Sequence, residues 1–415
     1  MMRNLNLKNA AIMGCLFFIS IAAAAQEPTH PQEIYIDPNS VTNVTKQQVF
    51  DEVNYIPLQT IAQSRFNTID QLVVTDKYFI INEQKTNHVL LFDKTGKFHC
   101  KIEVPSFSTA FSVNRQKREI MVKKGRTEIY YNFDGKKLRE QPEKSIGTPY
   151  YFANGRIGYA DYRVSEQYLP DTVNHEYRLY SKGRQYAGYL PYNMKLASIQ
   201  NSDDIYTWHG PFFDIGSSKA VLYCRPFEYN IYELTSQRAY VKYKLVLPQE
   251  YVFPQDVLTV DSLKGHRYTY FNANQKQIRE VSFAYETGNN IFFRLNSSIA
   301  GTNGSISYIY NLKTNALAAI KDIYPDATNY NLPITDIYNG GNFYNRNFLT
   351  SDGTYVYTSI KAELMFATAA KAQNQYPNNL KQYFAKGSSN GNPVIVQIKA
   401  KDQFTIPKAE LSSNK

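Results

Sequence analysis

Residues 71–104 read QLVVTDKYFIINEQKTNHVLLFDKTGKFHCKIEV. Three short apolar runs, Gln71–Thr75, Tyr78–Asn82 and Val89–Phe92, lead to Asp93-Lys-Thr-Gly96-Lys97, after which Phe98–Val104 resumes the pattern. The runs are rich in β-branched and aromatic residues, which suit pleated, half-buried surfaces. Asp93 opens a turn with a short polar side chain, and Gly96 supplies the positive φ that the turn needs. Four strands in succession predict a β-meander.

The same grammar returns along the chain. Glu119–Lys123 and Glu128–Asn132 precede the turn Phe133-Asp-Gly-Lys136, and Asp134 stands 41 positions after Asp93. Arg178–Tyr180 leads to the turn Ser181-Lys-Gly183. Ala220–Cys224 and Tyr229–Leu234 lead to Thr235-Ser-Gln237. Asn290–Arg294 and Ile306–Tyr310 lead to Leu312–Asn315, and Asn342–Tyr344 with Tyr355–Ser359 make a sixth copy.

A degenerate repeat of roughly 40–50 residues, each a four-stranded meander, is the signature of propeller blades. One such sheet exposes both faces and buries them only by stacking radially between neighbours. The expected fold is therefore all-β: a six-bladed β-propeller over residues 51–400. Its ring closes by pairing of the N- and C-terminal strands, Tyr55–Leu58 with Asn392–Lys399. A short helical insertion, about 362–386, is expected on one face, from Glu363–Ala372 and Leu380–Ala385. Residues 26–50 are polar, with Pro28 and Pro31, and read as an arm or linker; 401–415 read as a tail. A β-sandwich would need more even strand spacing, and a seventh or eighth blade would have to hide in 248–290.

Four segments carry a resemblance to a known family: Tyr55-Ile-Pro-Leu-Gln-Thr60, Ile69–Phe98, Arg225-Pro-Phe-Glu-Tyr-Asn-Ile-Tyr-Glu-Leu234 and Gly391-Asn-Pro-Val-Ile-Val-Gln-Ile-Lys399. The chain resembles the six-bladed β-propeller proteins common among exported and lipid-anchored proteins of Bacteroidetes, themselves similar to NHL-type propellers. The likeness covers nearly the whole chain after the leader. That family's usual glycine-rich segment after the first blade is missing, with Glu103-Val-Pro-Ser-Phe-Ser108 in its place. The resemblance implies architecture and carries over no catalytic residue.

Residues 1–25 look like a signal peptide. Arg3 and Lys8 form a basic start, Ala10–Ala25 is uncharged, and a small-residue cleavage site fits between Ala25 and Gln26. Ile12-Met13-Gly14-Cys15 looks like a lipobox, but the most apolar residues follow Cys15 rather than precede it. A soluble protein of the periplasm or envelope is expected, with lipid anchoring at Cys15 as the alternative and no transmembrane span in the mature chain.

The 415-residue chain is 43% hydrophobic, 20% charged and 14% aromatic, with 35 Tyr. These values exclude a disordered or collagen-like polymer and allow a large core. Loss of Arg3 and Lys8 takes the formal net charge from +10 to +8. The basic residues are scattered in sequence, and the densest group, Arg115, Lys117, Arg118, Lys123, Lys124 and Arg126, reads as the wet face of a hairpin rather than a nucleic-acid site. Cys100 and Cys224 are expected to be buried free thiols, one disulfide being the alternative.

The sequence holds no C-x-x-C pair, no H-E-x-x-H, no G-x-S-x-G and no phosphate-cradling loop. Its six histidines are widely spaced, so no metal site and no cofactor is expected. Tyr206-Thr-Trp-His-Gly-Pro-Phe-Phe-Asp214 joins the sole tryptophan to a histidine and a Gly-Pro turn. An aromatic face stacks on a sugar or an apolar ring while polar neighbours set orientation. Trp208, His209, Arg225, Tyr344 and Arg346 are the candidate ligand-binding residues, with a plug between blades as the plainer role for the tryptophan. Asp171-Thr-Val173 and Asp261-Ser-Leu263 resemble Bacteroidetes O-glycosylation acceptors at Thr172 and Ser262. The function expected is a non-enzymatic binding or scaffold module for a glycan, peptide or envelope protein. The alternative is a polysaccharide-active glycoside hydrolase or lyase using mouth carboxylates such as Asp203, Asp204, Asp214, Asp256 and Asp261.

Overall fold

Phe79 and Ile81 pack to one side of their strand and Ile80 to the other, and all three are fully buried. That is why the run Tyr78–Ile81 is apolar without alternation: both faces of the sheet are covered. The computed structural model describes residues 30–83, 86–104, 111–143, 148–160, 175–191, 212–297, 305–335, 348–371 and 375–406.

The described chain opens with β1 (Gln32–Tyr35), β2 (Val44–Thr45), the single-turn helix α1 (Lys46–Val49) and β3 (Phe50–Pro57). Blade one is β4 (Gln71–Val74), β5 (Tyr78–Glu83), β6 (His88–Asp93) and β7 (Phe98–Glu103). Blade two is β8 (Phe111–Asn114), β9 (Glu119–Lys124), β10 (Thr127–Asn132) and β11 (Lys137–Pro142). Blade three is β12 (Thr148–Tyr151), β13 (Ile157–Ala160), β14 (His175–Ser181) and β15 (Arg184–Pro191). Blade four holds β16 (Ala220–Cys224), β17 (Asn230–Thr235) and β18 (Ala239–Val246), with a bridge from Phe213 to Leu222 at its innermost position. Helix α2 (Arg267–Ala273) precedes blade five, which is β19 (Glu280–Thr287), β20 (Asn290–Asn296), β21 (Ser305–Asn311) and β22 (Leu317–Ala319). After β23 (Ile323–Tyr324), blade six runs β24 (Thr350–Ser351), β25 (Val356–Ile360), helices α3 (Ala362–Ala369) and α4 (Asn378–Lys386), then β26 (Val394–Ala400).

The fold is a six-bladed β-propeller. It closes where β26 pairs antiparallel with β3, Ile395 opposite Ile56 and Val396 opposite Tyr55. No further blade lies in 248–279. That stretch forms short 3-10 turns and α2 around an aromatic cluster of Phe227, Phe253 and Phe271.

The tyrosine excess has a structural use. Between several blades a tyrosine ring fills the seam and its hydroxyl donates to main chain in the next blade. Tyr150 reaches Ser217 O, Tyr177 reaches Thr235 O, Tyr229 reaches Ile278 O and Tyr285 reaches Leu349 O. A phenylalanine would fill the same volume and leave those carbonyls without that donor.

The segment read as a polar arm is threaded into the ring. β1 adds to the outer edge of blade four, parallel to β18, with Gln32 opposite Tyr243 and Tyr35 opposite Val246. β2 pairs with β23 beyond blade five, and β3 completes blade six. The arm therefore straps three consecutive blades. Its polar look arises because one face is wet: Glu33 pairs with Lys244 outside, while Ile34 and Ile36 are buried inside. Each of these isoleucines contributes about 1.5–3 kcal/mol of burial free energy.

Strands alternate in direction, so the first-to-second and third-to-fourth hairpins of every blade share one side of the ring. This is the turn face. The second-to-third connections and the inter-blade crossings leave from the opposite, connection face, which also carries 248–279 and the α3–α4 insertion.

Candidate functional site

On the turn face the axis is bridged by contacts between alternate blades. Arg115, at the end of β8, donates through Nη2 to Val74 O (3.2 Å) and to the Asp214 carboxylate. Asp214 Oδ1 accepts from the amide of Gly216 at 3.0 Å. Gly216, at φ +70°, lies flat on the β24–β25 turn, where a Cβ would stand 1.7 Å from Asp352 O. Asp352 in turn accepts from Tyr357 Oη (2.6 Å) and from the amides of Thr354 and Tyr355. Blades two, four and six thus meet across the centre. Burial works against the Arg115 charge, but the Asp214 carboxylate outweighs it and holds Arg115 above its ordinary value.

On the connection face the β16–β17 loop begins with Arg225. Its Nε and Nη2 donate to Glu176 of blade three (2.7 Å from Nη2 to Oε1), and Nη1 donates to Glu228 at 2.6 Å. Glu176 is 1% exposed and also accepts from Tyr223 Oη at 3.2 Å. Glu228 accepts from Tyr232 Oη at 2.5 Å and from Asn230 Nδ2. Burial raises the Glu176 carboxyl even against the pull of Arg225. Burial, with the Glu228 charge beside it, pushes the Tyr232 hydroxyl up to about 12. The cluster ties blade three to blade four.

Of the five candidate ligand residues, the structure describes Arg225 alone, and it places that side chain in the blade-to-blade ion cluster. Trp208 and His209, in 192–211, and Tyr344 and Arg346, in 336–347, lie outside the described residues, as do Ala25, Gln26, Cys15 and Thr172. Ser262 is described and exposed, in the 3-10 turn Asp261–Leu263. Cys100 and Cys224 are free thiols; Cys224 is buried, whereas Cys100, on the outer strand β7, is only half-buried, which corrects the expectation of two buried thiols. Burial lifts the Cys100 thiol to about 11 and Cys224 well above its usual value.

Among the mouth carboxylates, Asp214 is taken by Arg115, Asp256 and Asp261 are exposed in the insertion before blade five, and Asp203 and Asp204 fall outside the described residues. Among the described residues no group of three or more His, Cys, Asp or Glu side chains is arranged to hold a metal ion. Sequence reasoning missed the Arg115–Asp214 contact. Each residue was noticed separately, in a basic cluster and beside an aromatic run, and 99 positions separate them.

A family model described as a domain of unknown function, DUF4934, matches residues 33–399. The chain belongs to the DUF4934 family. The match begins inside β1 and ends inside β26, so it takes in the strap and the closing strand of this DUF4934 chain together. No curated protein matches the sequence.

Among solved structures, BF0058 of Bacteroides fragilis NCTC 9343, a protein named as exported, is similar to this DUF4934 chain. Its TM-score is 0.67 at 13% identity, covering 89% of this chain and 100% of that one. A DUF4221 member from Bacteroides vulgatus ATCC 8482 gives a TM-score of 0.46 at 11% identity, over 86% of this chain and 98% of that one. At 13% identity the likeness to BF0058 is one of fold. Among the described residues no helix is long and apolar enough to cross a membrane.

Proposed function

We infer that this DUF4934 propeller is an exported recognition module that holds a glycan, peptide or envelope protein against its connection face. The observation that carries the reading is the bridged axis. With Arg115, Asp214, Gly216 and Asp352 meeting across the turn face, a ligand seated on the axis enters from the other side. That side gathers connections from every blade, a layout suited to recognition by many loops at once. Described carboxylates of the blades on that side are engaged: Glu176 and Glu228 by Arg225, Tyr223, Tyr232 and Asn230, Glu83 by the amides of Asn67 and Thr68, Glu128 by Tyr130 and Gln141, and Glu280 by Asn296, which favours binding over hydrolysis. Export is supported by the leader-like residues 1–25 and by the name given to BF0058.

Trp208, His209, Tyr344 and Arg346 are proposed as contact residues. The chain has a single tryptophan, so its fluorescence reports on one position. Titration with glycans and peptides selected on arrays should give a saturable change in Trp208 emission, and Trp208→Ala should weaken capture of the same ligand. A full array without a ligand, or binding indifferent to Trp208→Ala, overturns the reading.

A further inference from the structure

The basic residues are scattered along the sequence, yet the ring gathers many of them. The hairpins that meet on the turn face recur every twenty or so residues, and their tips carry exposed cations. Blade one presents Lys77 and Lys97 there. Blade two presents Lys117 and Arg118 at the β8–β9 turn and Lys136 at the β10–β11 turn. Blade three presents Lys182 and Arg184, and Lys219 stands exposed just before β16. The exposed carboxylates at these tips are Asp76 and Asp134, the second drawn to His99 at 3.3 Å. The group that looked densest in sequence is divided by the fold: Lys124 and Arg126 turn at the β9–β10 hairpin, on the connection face.

Three further features shape this side. The turn-face tips of blades one to four are tight hairpins that project no long insertion. Among its described residues the centre is bridged by the Arg115–Asp214 contact. Leu138 and Tyr186, 46% and 43% exposed, stand at the starts of β11 and β15 beside the basic tips. Over blade five the same side is covered by the chain's own tail, where Asn290 Nδ2 donates to Lys401 O and Thr314 Oγ1 to Phe404 O.

We propose that the turn face of blades one to four is a docking surface for an anionic lipid bilayer. The match is one of shape and charge. A broad array of cations without a groove meets a planar negative surface at many points, and each Lys or Arg near such a surface adds to the attraction. Leu138 and Tyr186 suit the boundary between headgroups and acyl chains. An acidic polysaccharide strand would instead be expected to find a charged groove. The proposal goes beyond the recognition reading and is independent of it: it would set the connection face outward, away from the membrane.

The test uses the chain after its leader-like segment, residues 26–415. Vesicles of one part phosphatidylglycerol to two parts phosphatidylcholine are compared with pure phosphatidylcholine by co-sedimentation at low salt. The wild-type chain should partition onto the anionic vesicles and be released as ionic strength rises. Lys77→Glu/Lys117→Glu/Lys136→Glu/Arg184→Glu should lower that partitioning by at least about tenfold. A control with the same charge change on the connection face, Lys124→Glu/Arg126→Glu/Lys264→Glu/Lys276→Glu, should lose far less. Circular dichroism confirms that both variants are folded. Equal losses in the two variants, or equal binding to both vesicle types, overturn the proposal. Binding to polygalacturonate but not to anionic vesicles overturns it in favour of a polymer.

Discussion

Gly216 lies against the carbonyl of Asp352 so closely that no side chain fits between the innermost segment of blade four and the first turn of blade six. The position also has positive φ, so a substituent is opposed by sterics and by backbone preference alike. Gly216→Ala should cost about 2–4 kcal/mol in urea unfolding, because Asp352 is held by Tyr357 and two amides and has little room to retreat. A loss below about 0.5 kcal/mol would mean that the segment lifts freely from the turn.

Arg225 and Glu176 should behave as a coupled pair. Arg225→Ala leaves a buried carboxylate facing Tyr223 alone, at an expected cost of about 3–5 kcal/mol. Arg225→Ala/Glu176→Ala removes the stranded charge and should recover part of that loss. Independent, additive costs in the cycle would show that the contact carries no coupling.

The two ends of the chain should differ in importance. Deleting the residues before Lys46 removes β1 and β2, exposes the edge of blade four and should lower the thermal midpoint while leaving a cooperative transition. Ending the chain at Gly391 removes β26, which separates β25 from β3, and should leave no cooperative transition. Far-UV circular dichroism during heating distinguishes the two outcomes.

Cys100 and Cys224 should be unreactive toward a thiol-specific reagent near neutral pH, since burial raises both thiols and the thiolate is the reacting form. In the chain without residues 1–25, two equivalents should react promptly in denaturant and none beforehand. Fast labelling of the native protein would show that the seam beside Phe133 opens.

Stability should fall on acidification. At Asp93 and Asp326 burial opposes ionisation and is outweighed by hydrogen bonds, from Thr95 and Lys97 at the first and from Thr328 and Gln47 at the second. Glu119 is lowered chiefly by its bonds to Arg139. In each case the folded value lies below the unfolded one, so the unfolded chain takes up protons first. The stabilisation is present above the ordinary carboxylate range near ~4 and is lost as pH falls through the lower folded values. Asp326→Asn should flatten this acid limb in pH-dependent urea melts. An unchanged limb would show that the Gln47–Asp326 contact does not hold the strap.

Much of the ring is legible in the sequence because its elements repeat. Asp93-Lys-Thr-Gly and Phe133-Asp-Gly-Lys mark hairpins by chemistry that acts within a few residues, and Val394–Ile398 is apolar enough to announce a strand buried on both faces. The strap is harder to see. Gln32-Glu-Ile-Tyr shows one buried side chain in four, and parallel pairing with β18 leaves no local turn to betray it. The axial contact is harder still, since Gly216 looks like any turn glycine until Asp352 is placed beside it. Charge misleads in the opposite direction: Lys77, Lys117 and Arg184 are distant in sequence and share a side only because alternate hairpins of a meander point the same way.

The strap also sets a timetable. As the chain is made from its first residue, Gln32–Tyr35 must wait for Ala239–Val246, Val44–Thr45 for Ile323–Tyr324, and Phe50–Pro57 for Val394–Ala400. Each appointment falls later than the one before, and the last must wait more than 300 residues for its partner strand. A ribosome-bound nascent chain therefore cannot reach the native state early, and any machinery that acts on it during synthesis meets an open thread.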